Sequence, residues 1–184
     1  MKFDSVEEIF AANDRVRESL IGLLAGISAD DEELPSENGE WTVSKVVEHL
    51  AKVENSMMRI CAKLLSKAKD KGLRADGTVR ISKHFTQAVA KVKADGTKLN
   101  APEVVQPKGG CPVSESIMLM NATREELKEL RPMFEEFDGS AFSFPHPAFG
   151  DLTALDWLVL IGGHEARHLA QIERILAKRD AANA

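Results

Sequence analysis

His164 and His168 stand four residues apart in Gly163-His164-Glu165-Ala166-Arg167-His168-Leu169, and a third histidine, His49, lies in an earlier amphipathic stretch. Neutral imidazole is the commonest protein ligand for first-row transition metals, and side chains at i and i+4 of a helix stand about 5–6 Å apart at Cβ, close enough to share one ion. Two ligands from one helix need a third from elsewhere, and His49 is the candidate. Of the remaining histidines, His84 lies in an irregular stretch with nothing to pair it and reads as solvated surface. His146 precedes Pro147 in His146-Pro147-Ala148-Phe149-Gly150, where proline sets a turn and glycine permits positive φ, so it reads as a loop anchor.

The elements that must position these side chains follow from the apolar period. A first helix runs from about Ser5 to Ile27, opened by Ser5-Val6-Glu7-Glu8 as a capping box, with Val6, Ile9, Phe10, Val16, Leu20, Leu23, Leu24 and Ile27 as its stripe. Pro35 to Gly39 breaks the chain. A second helix begins beside Trp41 with Thr42 as N-cap and continues through Val46, His49, Leu50, Val53, Met57, Ile60 and Leu64. Residues 67–112 read as a long crossover rich in lysine, glycine and proline, with a short helix at His84–Val92. A third helix covers roughly Ser114 to Phe134, with Ile117, Met118, Met120, Leu127 and Leu130 inward. After a turn-rich segment, Asp138 to Gly150, a fourth helix starts at Thr153-Ala154-Leu155-Asp156 and runs to about Lys178. With no convincing alternating strand, the expected fold is all-α: an antiparallel four-helix bundle with one long crossover.

At 100° per residue, His168 lies about 40° from His164 on the core-facing seam with Trp157, Ile172 and Ile175, and His49 lies at the edge of its own stripe. Histidines at the edges of two stripes can meet in a cleft with an apolar floor and a wet mouth. Gln171 lies about 40° from the mean histidine direction, so it is aimed at the cleft as a cofactor-binding residue or an orienting partner. Glu165 and Arg167 lie about 80° away, and Arg167 is expected to pair with an acid on a neighbouring helix. Gly162 and Gly163 each cost about 1 kcal/mol relative to alanine in a helix, which suggests a close neighbouring backbone or ligand, though packing alone would explain them.

Composition bounds the partners. The 184 residues, 43% of them hydrophobic, suit a single domain, 1–184, with an aliphatic core. No run of eighteen apolar residues is present and the N-terminus is acidic, so the expectation is a cytoplasmic protein without a membrane span. The net charge of −5 argues against bulk nucleic-acid binding. Residues 67–98 nevertheless carry nine Lys/Arg against three Asp, a local reversal suited to a solvated insert or an anionic ligand. Cys61 and Cys111 form no paired motif and read as ordinary thiols. Met57, Met58, Met118 and Met120 suit either core filling or a homodimer interface.

Two metal-site readings are set aside. His164-Glu165-Ala166-Arg167-His168 spells H-E-x-x-H, the zinc metalloprotease helix with Glu165 as base, but Gln171 and Arg174 stand where the extended form needs glycine and histidine. Only sixteen residues follow His168, too few for the downstream glutamate of the other form. A di-iron bundle would need a glutamate where Val46 precedes His49.

Trp41-Thr42-x3-Val46-Val47-Glu48-His49-Leu50, His146-Pro147-x2-Gly150-x-Leu152-Thr153-x3-Trp157 and His164-x3-His168-Leu169-x-Gln171-Ile172 together resemble the DinB-like (damage-inducible B) superfamily of metal-binding four-helix bundles. The resemblance covers nearly the whole chain. It implies that His49, His164 and His168 ligate a divalent ion, nickel or zinc foremost. It also implies kinship with thiol-dependent S-transferases, in which a low-molecular-weight thiol is presented to a small electrophilic substrate. Three protein ligands leave a position open, as catalytic sites do. Metal-activated water attacking an ester or amide is the competing chemistry, and a non-catalytic metal-dependent binding or sensor module is the third reading. No catalytic proton acceptor is identifiable.

Overall fold

The computed structural model describes residues 2–36, 39–96 and 99–182. Its elements in chain order are α1 (Val6–Leu24), α2 (Ala29–Glu32), α3 (Val43–Asp70), α4 (Lys83–Asp95), a 3-10 turn (Glu103–Val105), α5 (Val113–Glu129), α6 (Arg131–Glu136), β1 (Ser143–His146), β2 (Gly150–Thr153) and α7 (Ala154–Ala182). The long helices α1, α3, α5 and α7 form the four-helix bundle, with α3 packed on both α7 and α5, and α1 on α7.

Capping chemistry sets the starts of three of these helices. The Ser5 hydroxyl accepts from the Glu8 amide, and the Thr42 hydroxyl from the Lys45 amide. At α7, the Thr153 hydroxyl accepts from the Asp156 amide while the Asp156 carboxylate takes the Thr153 amide, a reciprocal box. Asp156 is fully buried and also accepts from the Ser82 amide and hydroxyl, which moors the crossover to the start of α7.

Two apolar clusters occupy the two halves of the bundle. One gathers Ile9 and Phe10 of α1, Val53 to Leu65 of α3, Leu127 of α5 and Ala154 to Ile161 of α7. The other gathers Leu20 and Leu24, Val43 to Ala51, Val113 and Met120, and Ile172 to Leu176. Along the sequence, α1 and α7 pass from the first cluster to the second, and α3 and α5 pass the other way. The bundle is therefore antiparallel across α3 and α7 and parallel across α3 and α5. A parallel neighbour requires the chain to retrace α3, about 42 Å at 1.5 Å per residue, and the crossover between Asp70 and Val113 does this.

Four local readings change. Arg17 rather than Val16 takes the buried position on α1, and Val16 is half-buried, because the interior here is ionic. The third helix is two: Pro132 lacks the amide that would continue the ladder, and the chain breaks at Leu130 between α5 and α6. Met118 faces out at 72% exposure, whereas Met57, Met58 and Met120 fill the core. A hairpin forms where no strand is expected, with Phe144 opposite Leu152 and His146 opposite Gly150. Its strands are four residues each and β1 is mostly exposed, too short and too polar in burial for alternation to register. Gly150, at φ +74°, turns the chain into β2. Among the described residues, no helix is long and apolar enough to cross a membrane.

The two helical glycines have different causes. A Cβ on Gly162 would lie 2.1 Å from Asn13 Oδ1 and 2.9 Å from its Cγ, so this glycine admits α1, whose Asn13 Nδ2 donates to the Leu158 carbonyl at 2.9 Å. A Cβ on Gly163 would meet nothing within 4 Å. Gly162→Ala should lower stability by about 1–3 kcal/mol, overpacking outweighing helix propensity. Gly163→Ala should instead be neutral or raise stability by up to about 1 kcal/mol. Urea unfolding of the two variants side by side checks the pair, and equal effects would refute the packing account.

Candidate metal centre

Between the two apolar clusters lies a polar layer to which each long helix contributes. Arg17 of α1, Glu54 of α3, Arg124 of α5 and Glu165 of α7 are all buried and mutually bonded. Arg17 Nε donates to Glu165 Oε1 at 2.6 Å and its Nη2 pairs with Glu54. Arg124 donates to Glu54 at 2.9 Å, to Glu165 at 3.0 Å and to Asp14 at 3.1 Å. Burial opposes the charge of Arg17, but the bonds and fields of Glu165 and Glu54 more than offset it and raise its pKa. Glu165 is thereby committed to two guanidinium groups, which removes it as the base of an H-E-x-x-H site.

One residue from Glu165 along α7, and five residues before Glu54 on α3, the three histidines meet. One candidate ligand atom each from His49, His164 and His168 lie within 4.8 Å of one another. His49 Nε2 and His164 Nε2 are 3.2 Å apart, close to the roughly 3.3 Å expected between two nitrogens on one tetrahedral ion at about 2.0–2.1 Å. His49 and His168 are buried, and His164 is half-buried, so the cluster opens on the His164 side. The Trp41 ring covers another side, 4.8 Å from the His49 ring and 6.4 Å from that of His168.

Two of the rings have fixed tautomers. His49 Nδ1–H donates to the Val105 carbonyl at 2.9 Å, and His168 Nδ1–H donates to Gln171 Oε1 at 2.8 Å, so both present the Nε2 lone pair inward. Gln171 orients a histidine through this oxygen. Burial, the largest cause, lowers all three histidine pKa values. Arg167 and Lys52 add to it at His49; His168, His49, Arg167 and His146 at His164; and Arg167 and His49 at His168, which falls to about 3. Neutral imidazoles at pH 7 are what a divalent ion requires. The donor set, its orientation and its charge state fit such an ion.

The crossover takes part in the centre. The Glu48 carboxylate accepts from the Lys108 and Gly109 amides at 3.0 and 2.9 Å, and Lys52 Nζ donates to Glu48 at 2.6 Å and to the Gln106 carbonyl at 3.1 Å. This clasp lays Val105 against His49. Lys52 and Val105 did not stand out in the sequence, and Glu48 entered only as part of the Trp41–Leu50 motif, because these contacts join α3 to a loop more than fifty residues away.

Other expectations resolve as follows. Among the described residues Arg167 pairs with no acid: its Nη2 donates to His168 Nε2 at 2.7 Å. Desolvation and then Arg174 lower its pKa. His84 is exposed but partnered, its Nε2–H donating to the Asp151 carbonyl at 2.8 Å and joining α4 to the hairpin. His146 Nδ1 accepts from the Ala148 amide at 3.1 Å, an anchoring bond that leaves the proton of the neutral ring on Nε2. Its ring stacks on Phe149 and lies 5.4 Å from that of Trp157, whose Nε1 alone among buried side-chain polar atoms of the described residues lacks a partner. Cys61 is a buried free thiol whose pKa burial raises far out of the reactive range, and Cys111 is also free.

Comparison with known proteins places this arrangement in context. A sequence model described as the DinB superfamily matches residues 12–172. The uncharacterized protein YuaE of Bacillus subtilis (strain 168) is 29% identical over 142 residues, which cover 76% of this chain and 79% of that protein. Among solved structures, TT2238, described as a four-helix bundle protein, is similar with a TM-score of 0.61 at 23% identity, covering 91% of this chain and 98% of its own. YfiT from Bacillus subtilis, described as a probable metal-dependent hydrolase with an unusual four-helix bundle topology, is similar with a TM-score of 0.59 at 19% identity, covering 98% of this chain and 93% of its own. At these identities the two structures establish the fold.

If the three imidazoles share an ion, His49→Ala, His164→Ala and His168→Ala should each reduce its stoichiometry to a similar, low level in elemental analysis of untagged protein. Glu165→Ala should behave oppositely: it should lower stability by about 3–5 kcal/mol, as loss of one member of a buried ion network does, while its folded fraction keeps the metal. Full metal content in all three histidine variants would rule the centre out.

Proposed function

The chain belongs to the DinB superfamily, and on that premise we propose that its three-histidine centre holds a divalent ion, nickel or zinc, and activates a small nucleophile for attack on a small electrophilic molecule. The supporting observation is the convergence of three neutral imidazoles on a cluster buried on the His49 and His168 sides and open beside His164. A divalent ion would supply Lewis acidity, lowering the pKa of a coordinated water or thiol toward neutrality.

The chain's own residues supply the rest. His49 and His168 enter with tautomers already set by Val105 and Gln171, so loading requires no change of tautomer at either ring. Trp41 keeps water from the face of His49. His164 is the least buried of the three, so a small molecule would approach from its side and ligand exchange would be confined there.

The nucleophile is a low-molecular-weight thiol or water. Thiol transfer to an epoxide or halide accords with the Arg167 guanidinium beside the cluster, which favours a thiolate and any carboxylates on its carrier. Hydrolysis of a small ester or amide accords with the description of YfiT.

Protein loaded with nickel or zinc should consume members of one of two panels: small esters and amides without added thiol, or epoxides and alkyl halides with added cysteine-type thiols. His49→Ala should abolish the reaction. Hydrolysis without thiol would identify water as the nucleophile, and strict thiol dependence would identify transfer. Stoichiometric metal with no reaction on either panel would overturn the catalytic reading and leave a metal-dependent binding or sensor module.

A further inference from the structure

Arg167 lies between two of the clustered histidines in sequence and forms no ion pair among the described residues. Arg17, Arg74, Arg80, Arg124, Arg131 and Arg179 all engage carboxylates. Arg167 instead directs Nη2 at His168 Nε2, 2.7 Å away. Because His168 Nδ1–H is donated to Gln171, Nε2 holds that ring's only lone pair.

That lone pair can serve a guanidinium donor or a metal ion, but not both. In the loaded centre the Arg167 fork must turn from Nε2, while its attachment to α7 between the two ligands keeps it within a side chain's reach of the ion. It is then one cation beside another, with the exposed Arg174 acting on it with the same sign. Neither arginine has a described carboxylate to balance it. A planar fork with five donors matches a carboxylate bidentately, and such an anion relieves the repulsion on both sides at once.

We infer that Arg167 is the anion-recognition residue of this centre, and that the small molecule taken there carries a carboxylate or similar oxyanion positioned by the Arg167 fork next to the open side at His164. This assignment rests on the metal reading of the preceding section. It narrows the ligand to an acid and places recognition on α7, apart from the lysine-rich stretch of the crossover.

The test is calorimetric titration of zinc-loaded protein with succinate and with succinamide, together with elemental analysis and metal-affinity measurement, for wild type, Arg167→Ala, Arg167→Lys and the remote Arg59→Ala. Wild type and Arg59→Ala should bind succinate in preference to succinamide. Arg167→Ala should weaken succinate about ten- to a hundredfold, as loss of a charge-assisted bidentate contact does, with Arg167→Lys intermediate. The alanine variant should also hold zinc as tightly as wild type or more so, since a competitor for Nε2 is gone. Wild type without zinc would overturn the metal reading and this inference together. Zinc-loaded wild type that ignores succinate, or an Arg167→Ala protein that binds it unchanged or loses its zinc, would overturn this inference alone.

Discussion

The buried ionic layer of Arg17, Glu54, Arg124 and Glu165 is the constraint on which the remainder of the molecule depends. Each long helix contributes one member, so the four cannot slide past one another without leaving a buried charge unpaired. Two guanidinium groups facing two carboxylates gain little net stability over an apolar layer of similar volume, but breaking one pair costs several kcal/mol. What the layer contributes is register. It separates two apolar clusters that would by themselves tolerate small shifts, and it sets the level of His49 against that of His164 and His168.

The imidazole cluster draws on this register and on the path of the crossover. A parallel α3 and α5 obliges the chain to return along the bundle, and the returning segment passes His49, where Glu48 and Lys52 hold its backbone. The Val105 carbonyl thereby orders the imidazole that α3 supplies. On α7 the corresponding task falls to Gln171, one turn from His168. Local and remote parts of the chain thus do the same work on two rings of one cluster, a division common around metal-binding histidines.

Charge around the cluster is distributed unevenly. The carboxylates near it are occupied: Glu165 by two arginines, Glu48 by Lys52 and two amides. Arg167 is not balanced in this way. Among the described residues, carboxylates beside the cluster are thus neutralised from within, whereas Arg167 and Arg174 at its edge have no carboxylate partner.

The helices, their caps and the three candidate histidines were legible in the chain because each is local: an apolar period, a hydroxyl before a helix, an i, i+4 pair. The family likeness was legible for the same reason, its motifs being short runs around Trp41, His146 and His164. The ionic layer was not, since a charged residue at a core position such as Arg17 has no visible partner until Glu165, 148 residues later, is brought to it. Arg167 shows the same limit, because helical angle alone aimed it at a neighbouring helix, whereas its flexible stem carries the fork back to His168. Periodicity and capping determined the secondary elements and which side chains had the chemistry of ligands. Tertiary structure alone decided which charges cancel and which imidazole nitrogens face inward, because those depend on distances between residues remote in sequence.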